Sequence, residues 1–300
     1  MAAVPQGEEL KKLKEQYEKD GFFVVKGLFS SKELDIYRDR FEDICSGKVE
    51  PAFGMTVMKD IEIARKKGKI RSSKDVTKIQ DFQEDPVMFE FCKHSLMLDY
   101  VSAVIGSESV RAIHNMLINK PPDLGQGTSR HPMHQDLHYF PIRPADKIIA
   151  TWVAMEHVHR ENGCLAVIPG SHKGPLLTHG NPDWEGGVNK LYHGVKDDID
   201  MEKRVYLEME TGDCVFFHPL LIHGSGRNST QGFRKAISCH YASAECAFDT
   251  VPEELLEDFF KGQDEMPKET QEELVRESFK ARSRQVRGPV LSHWQVQSSL

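Results

Sequence analysis

"SVRAIHNMLINK", residues 109–120, is where the chain changes its period. Val110, Ala112, His114, Met116 and Ile118 fall on one side of an extended segment, with Arg111, Asn115 and Asn119 on the other. A two-residue repeat of this kind is the mark of a β-strand. Shorter runs of the same texture follow in "KIIATWVAMEHV", "GCLAVIP", "RVYLEME", "DCVFFHP" and "RKAISCHYAS", separated by glycine and proline turns. Short strands at such spacing predict an all-β sandwich or barrel.

Helices flank this region. Residues 8–19 read as a charged helix, and "GFFVVKGLF" (21–29) as a buried strand. Ser30 with Glu33 forms a capping box, after which Leu34, Tyr37, Phe41 and Ile44 recur on one helical face. "RKKGKIRSSKD" (65–75) is a basic break, and "EDPVMFEFCKHSLMLDYVSAVIG" (84–106) reads as one or two buried helices. Residues 252–284 are helical and charged, the pattern of a solvated outer helix. The expected organisation is a single domain over 1–300: N-terminal helices, a strand-rich core over about 108–245, and a C-terminal helical tail.

With 300 residues, 39% hydrophobic and 28% charged, the chain has the composition of a globular protein. Its net charge of -7 offers no basic footprint for nucleic acid. Six cysteines without a CxxC pair suggest reduced thiols in an intracellular protein. The polar N-terminus lacks the apolar run of a signal peptide, and no segment has the length and apolarity of a membrane span.

The chemistry gathers in "SRHPMHQDLHYFPIRP" (129–144). In an extended segment His134 and Asp136 point the same way and can reach one ion. The rival pair, His134 and His138 on a helix, is disfavoured by the flanking Pro132 and Pro141. A third ligand is needed, and "DCVFFHPLLIHGSGRN" (213–228) offers His218 or His223, the latter beside Gly224 and Gly226. Eleven residues beyond His223 stands Arg234, at the start of the next strand. Two histidines and a carboxylate leave open positions on Fe(II). A 2-oxo acid can fill two of them, O2 another, while an arginine grips the remote carboxylate through a bidentate pair. His134, Asp136, His223 and Arg234 form one such set.

At these motifs the chain resembles the phytanoyl-CoA dioxygenase family of Fe(II)- and 2-oxoglutarate-dependent oxygenases. The similarity also runs through "TKIQDFQEDP", "MLINKPPD", "ENGCLAVIPGSHKG", "WEGGVNK" and "TQGFRKAISCHYAS", and fades beyond Ala244. The resemblance implies a mainly β fold with flanking helices, a double-stranded β-helix or jelly roll. It places iron on His134, Asp136 and His223, and 2-oxoglutarate on Lys78, Met116, Trp152, Ser225 and Arg234. The implied reaction is hydroxylation at carbon 2 of a branched fatty acyl-CoA, giving succinate and CO2, with ascorbate in support.

The loop over 171–198 is long and glycine-rich, a texture suited to a substrate wall, with His179 as a candidate polar contact. No glycine-rich phosphate loop marks a CoA site, and Lys173, Lys190 and Lys196 read as loop charges. Two further readings compete: an oxygenase of the same fold on another small molecule, and a non-catalytic metal- or ligand-binding jelly roll. Because the sequence starts close to the catalytic region, the family's cleavable presequence is not expected here. The tail Ser298-Ser299-Leu300 resembles a peroxisomal signal read by an import receptor, with the cytosol as the alternative address.

Overall fold

The computed structural model describes residues 6–60, 68–123, 129–184, 192–260 and 266–294. It opens with helix α1 (Glu8–Asp20), stopped by Gly21, whose φ of 83° turns the chain and whose N–H returns to Tyr17 O. A side chain at Gly21 would collide with His172, its Cβ lying 2.5 Å from Nδ1. Strand β1 (Phe22–Val25) leads to α2 (Ser31–Cys45), which starts on the expected capping box: Glu33 Oε2 accepts from Ser30 N–H at 2.7 Å, and Ser30 Oγ accepts from Glu33 N–H. Leu34, Tyr37, Phe41 and Ile44 are its buried face. Next come β2 (Thr56–Lys59), β3 (Val76–Gln80), a 3-10 turn over Met88–Lys93 and α3 (Ser95–Ile105). The two strands flank the basic break and carry no strong period in the sequence; residues 61–67 fall outside the described part.

Twelve strands then build most of the body. They are β4 (Val110–Lys120), β5 (His131–His134), β6 (Ile142–Arg143), β7 (Ile148–Ala154), β8 (Leu165–Val167) and β9 (His179–Gly180). After these come β10 (Gly194–Val195), β11 (Val205–Leu207), β12 (Cys214–Phe217), β13 (His223–Ser225), β14 (Arg234–Ser243) and β15 (Ala247–Phe248). Helices α4 (Glu253–Phe259) and α5 (Lys268–Arg282) precede β16 (Arg284–Arg287). The major sheet runs β1-β12-β7-β14-β4-β3-β2, with β16 also on β4; the minor sheet runs β11-β8-β13-β5. The pairings are antiparallel. Two antiparallel sheets with flanking helices form a jelly roll, within the sandwich and barrel class that the strand pattern predicts.

Alternation decides what each face of the major sheet meets. Ile149 and Val153, Cys214 and Phe216, and Ile237, Cys239 and Tyr241 pack with Phe41, Leu98 and Val101 of the helices. The intervening Ala150, Trp152, Ala154, Val215, Phe217 and Ala236 pack with Leu165 and Val167 of the minor sheet. Strand β4 departs from simple alternation. Its pairing with β14 slips between His240 and Tyr241, leaving Ile113 unmatched as a bulge. Val110 and Ala112 therefore join the helical core with Leu117, whereas Met116 and Ile118 turn to the opposite face. The expected single face from Val110 to Ile118 is thus split by one extra residue.

The tail is also more than a solvated helix. Phe279 of α5 is 0% exposed and packs with Trp294, Ile113 and Ile148. Arg111 covers the Trp294 ring at 4.7 Å, and Trp294 Nε1–H donates to Ala244 O at 2.9 Å. Phe279→Ala should cost about 3–5 kcal/mol, the cost of emptying a buried aromatic site. Urea unfolding checks this: the midpoint falls while the slope is unchanged. No helix among the described residues is long and apolar enough to cross a membrane.

Candidate metal centre

His134 ends β5, and Gln135 remains extended (φ -118°, ψ 124°) before a 3-10 turn begins at Asp136. This puts His134 Nε2 3.2 Å from Asp136 Oδ1. Pairing of β13 with β5 sets His223 opposite His134 and brings its Nε2 3.6 Å from the same oxygen. The ligand atoms of His134, Asp136 and His223 lie within 4.8 Å of one another, and all three residues are buried.

Backbone carbonyls select the tautomers. Pro132 O and Leu221 O lie 2.9 Å from Nδ1 of His134 and His223 respectively. A carbonyl only accepts, so each Nδ1 carries the proton and each Nε2 presents a lone pair to Asp136. Burial is the main force keeping His223 neutral, holding its pKa down to about 4 against the attraction of Asp136. Burial would raise the Asp136 carboxyl, but the facing His223 and His240, with the hydrogen bond from His240, hold it well below the usual range. Two imidazole lone pairs and an anionic oxygen converging without a proton between them suit a divalent cation.

His240, on β14, completes the support: its Nε2–H donates to Asp136 Oδ2 at 2.7 Å, leaving Oδ1 for the cluster. His240→Leu should weaken Fe(II) binding by roughly 10–100-fold, the usual cost of losing such an orienting partner. Metal titration followed by calorimetry measures it. Gln135 is the second residue that sequence reasoning missed. Its side chain donates to Pro175 O and Leu220 O and accepts from Leu177 N–H, tying two loops to the ligand segment. His179 is buried, with Nδ1–H on Leu177 O at 2.8 Å and Nε2 accepting Gln135 N–H at 3.0 Å. Both nitrogens serve the backbone, and the ring braces the ligand segment. The alternatives separate cleanly: His218 turns to Asp146 at 3.0 Å and His138 to His193 at 2.9 Å.

The register lays the remaining residues in rungs across one face of the major sheet. Gln80, Met116, Ser238, Trp152 and Val215 are successive partners on β3, β4, β14, β7 and β12. One rung toward the metal cluster, His240 pairs with His114 and Ala150; one rung away, Ile118 pairs with Lys78 and Ala236. Arg234 lies beyond, opposite Lys120. His114, Met116 and Ile118 are half-buried, whereas Asn115, Leu117 and Asn119 on the helical side are buried. Along β4, the side that faces the minor sheet is therefore the more open one.

Arg234 sits at the far end of that face. Its Nη2 donates to Gly163 O at 2.9 Å and its guanidinium carbon lies 5.2 Å from the Trp152 ring centre. Nε and Nη1 are buried without a hydrogen-bond partner, as are Ser238 Oγ and His240 Nδ1. Burial lowers the arginine pKa to about 10, which keeps it charged. Unpartnered buried polar atoms are rare, and four on alternate residues of one strand fit a bound polar ligand. Lys78, half-buried on β3, lies with Nζ 5.4 Å from the Tyr192 ring centre, and Ser225 ends β13 two residues beyond His223.

A family profile described as phytanoyl-CoA dioxygenase (PhyH) matches residues 17–236. The peroxisomal phytanoyl-CoA dioxygenase of Rattus norvegicus is 57% identical over 235 residues, covering 78% of this chain and 69% of the relative. A probable phytanoyl-CoA dioxygenase of Caenorhabditis elegans is 54% identical over 252 residues, 80% of each chain. Among solved structures, the epimerase SnoN in complex with Fe3+, alpha ketoglutarate and nogalamycin RO superposes with a TM-score of 0.62 at 22% identity. That match covers 83% of this chain and 90% of SnoN, a likeness of fold.

Proposed function

The chain belongs to the phytanoyl-CoA dioxygenase family, and from that premise we propose that it hydroxylates carbon 2 of a branched fatty acyl-CoA of the phytanoyl-CoA type. The carrying observation is the His134–Asp136–His223 cluster at one end of the face between the sheets and, at its other end, the buried Arg234 guanidinium with Nε and Nη1 unpartnered. Iron and 2-oxoglutarate bound there supply the oxidising chemistry: one atom of O2 enters succinate as CO2 is lost, and the other becomes the hydroxyl. Ascorbate supports that chemistry by keeping the iron reduced.

The chain's residues do the holding. His134 and His223 offer Nε2 lone pairs, and Asp136 offers the only charge in the ligand set. His240 and the carbonyls of Pro132 and Leu221 keep those atoms aimed before anything binds. Such preorganisation saves reorganisation during the reaction. Arg234, with Ser225, takes the remote carboxylate of 2-oxoglutarate. Met116 and Trp152 wall the pocket from the strands on either side of β14, and Lys78 adds positive charge at its β3 edge. The acyl chain enters beside the loop over 171–198, of which Lys190 lies outside the described residues and Lys173 and Lys196 within them.

Release of labelled CO2 from 2-oxoglutarate, screened over branched and straight acyl-CoAs and their free acids, tests this reading. Release strongest with a 3-methyl-branched acyl-CoA is the expected result. Release with free acids alone points to another substrate class, and none with any acid or thioester points to a binding protein. Several relatives are named as peroxisomal, and we assign the same address to this chain. Ser298-Ser299-Leu300 lie outside the described residues. A fluorescent protein ending in residues 287–300 should enter peroxisomes through the import receptor, and the same fusion without Leu300 should stay cytosolic. Diffuse signal from both contradicts an address in the tail.

A further inference from the structure

Lys120 ends β4 with only 5% of its surface exposed, and its partner in the β4–β14 register is Arg234. Like charges directly opposite on neighbouring strands repel, and a lysine is seldom buried unless its charge is answered. Among the described residues the Lys120 ammonium contacts three neutral oxygens: Ser129 O at 2.5 Å, Ser225 Oγ at 2.8 Å and Gly226 O at 2.8 Å. The carbonyls can only accept, so in the charged form the third proton goes to the Ser225 hydroxyl. Burial and the facing Arg234 push the Lys120 pKa well below its usual value against the pull of Asp123, and burial lowers that of Arg234 to about 10 against the pull of Glu156. Arg234 still has Nε and Nη1 unpartnered.

The two cations share their surroundings closely. Gly163, whose carbonyl Arg234 holds, packs against the Lys120 stem: a Cβ there would lie 2.8 Å from Lys120 Cδ. A lysine that only filled space would serve as well without its charge. Because Lys120 donates to Ser225 Oγ, the hydroxyl proton of Ser225 is left free for another acceptor. Ser225 is half-buried, as a residue lining an accessible cleft is.

Resting on the 2-oxoglutarate reading above, we propose that Lys120 is a positioning and specificity residue of the cosubstrate pocket. It aims the Ser225 hydroxyl at the far end of the cleft, beside the Arg234 guanidinium. The pocket thereby selects a 2-oxo acid that carries a second, remote carboxylate. The role is indirect, since all three ammonium contacts are to the protein.

Calorimetric titration of the full chain loaded with Mn(II) separates this from a structural role. The titrants are 2-oxoglutarate and 2-oxobutyrate, which has no remote carboxylate. Lys120→Met should weaken 2-oxoglutarate binding about tenfold or more, equivalent to 1.4 kcal/mol, while 2-oxobutyrate and Mn(II) binding change less than about twofold. Added to Ser225→Ala, the same substitution should cost less than it does alone, because the two residues act as one unit. Equal loss for both acids, no loss for either, or full additivity with Ser225→Ala overturns the inference. Should Lys120→Met not fold, Lys120→Gln is read by the same ratio: a shrunken preference for 2-oxoglutarate supports the inference, and an unchanged one overturns it. Failure of the unmodified chain to bind 2-oxoglutarate sinks the functional reading itself, whereas tight binding by both unmodified and substituted chains sinks only the role of Lys120.

Discussion

Asp136→Ala should bind no Fe(II) at micromolar metal and release no substrate-dependent CO2, while unfolding near the midpoint of the unmodified chain. Asp136 is the only anionic member of the cluster, and its loss leaves two neutral imidazoles. Those cannot balance a divalent ion in a buried site. The fold should survive because the core is carried by residues remote from Asp136, such as Phe41, Val101, Phe216 and Tyr241. The substitution also removes a buried anion whose partner His240 is left behind, so a modest change in stability of either sign is expected. Equilibrium metal binding and circular dichroism on one preparation check both halves. Full iron stoichiometry in this variant contradicts the assigned triad.

Arg234→Ala is the second large effect. Without the guanidinium the remote carboxylate of 2-oxoglutarate loses its bidentate partner in a confined, dry site. Breaking such a buried pair costs about 3–5 kcal/mol, so 2-oxoglutarate should bind more than roughly a hundredfold weaker. Iron binding should be retained, since Arg234 lies three rungs along β14 from His240. A change of less than about tenfold assigns the carboxylate to another cation, with Lys78 and Lys120 the two the structure offers. Arg234→Lys should recover part of the loss only, because an ammonium cannot reproduce the planar fork.

Much of this was legible in the residues themselves. Period-two runs mark β4, β7, β12 and β14, and the Ser30–Glu33 box marks the start of α2. The two-residue spacing of His134 and Asp136 places both on one side of the chain, as found. What was not legible depends on pairing between distant segments. Neighbouring glycines favour His223 over His218 in the sequence, but it is the register of β13 on β5 that turns His223 toward Asp136 and leaves His218 against Asp146. The bulge at Ile113 is one extra residue in an ordinary strand, with no compositional mark, yet it decides that Met116 faces the cleft. His240 reads as a strand histidine until β14 sets it over Asp136, and Lys120 as the last charge before a turn until it is found opposite Arg234. The burial of Phe279 was hidden for a different reason: one aromatic among the charges of α5 is too little apolar surface to declare a buried face.

The most direct measurement of the central claim is mass spectrometry of the products formed from a 3-methyl-branched acyl-CoA, Fe(II) and 2-oxoglutarate under oxygen-18 gas. The account predicts one labelled oxygen in a hydroxyl at carbon 2 of the acyl chain and one in succinate, formed in equal amounts and both absent with Asp136→Ala. Labelled succinate without a hydroxylated acyl-CoA, or a hydroxylated product that persists in the Asp136→Ala chain, would contradict it.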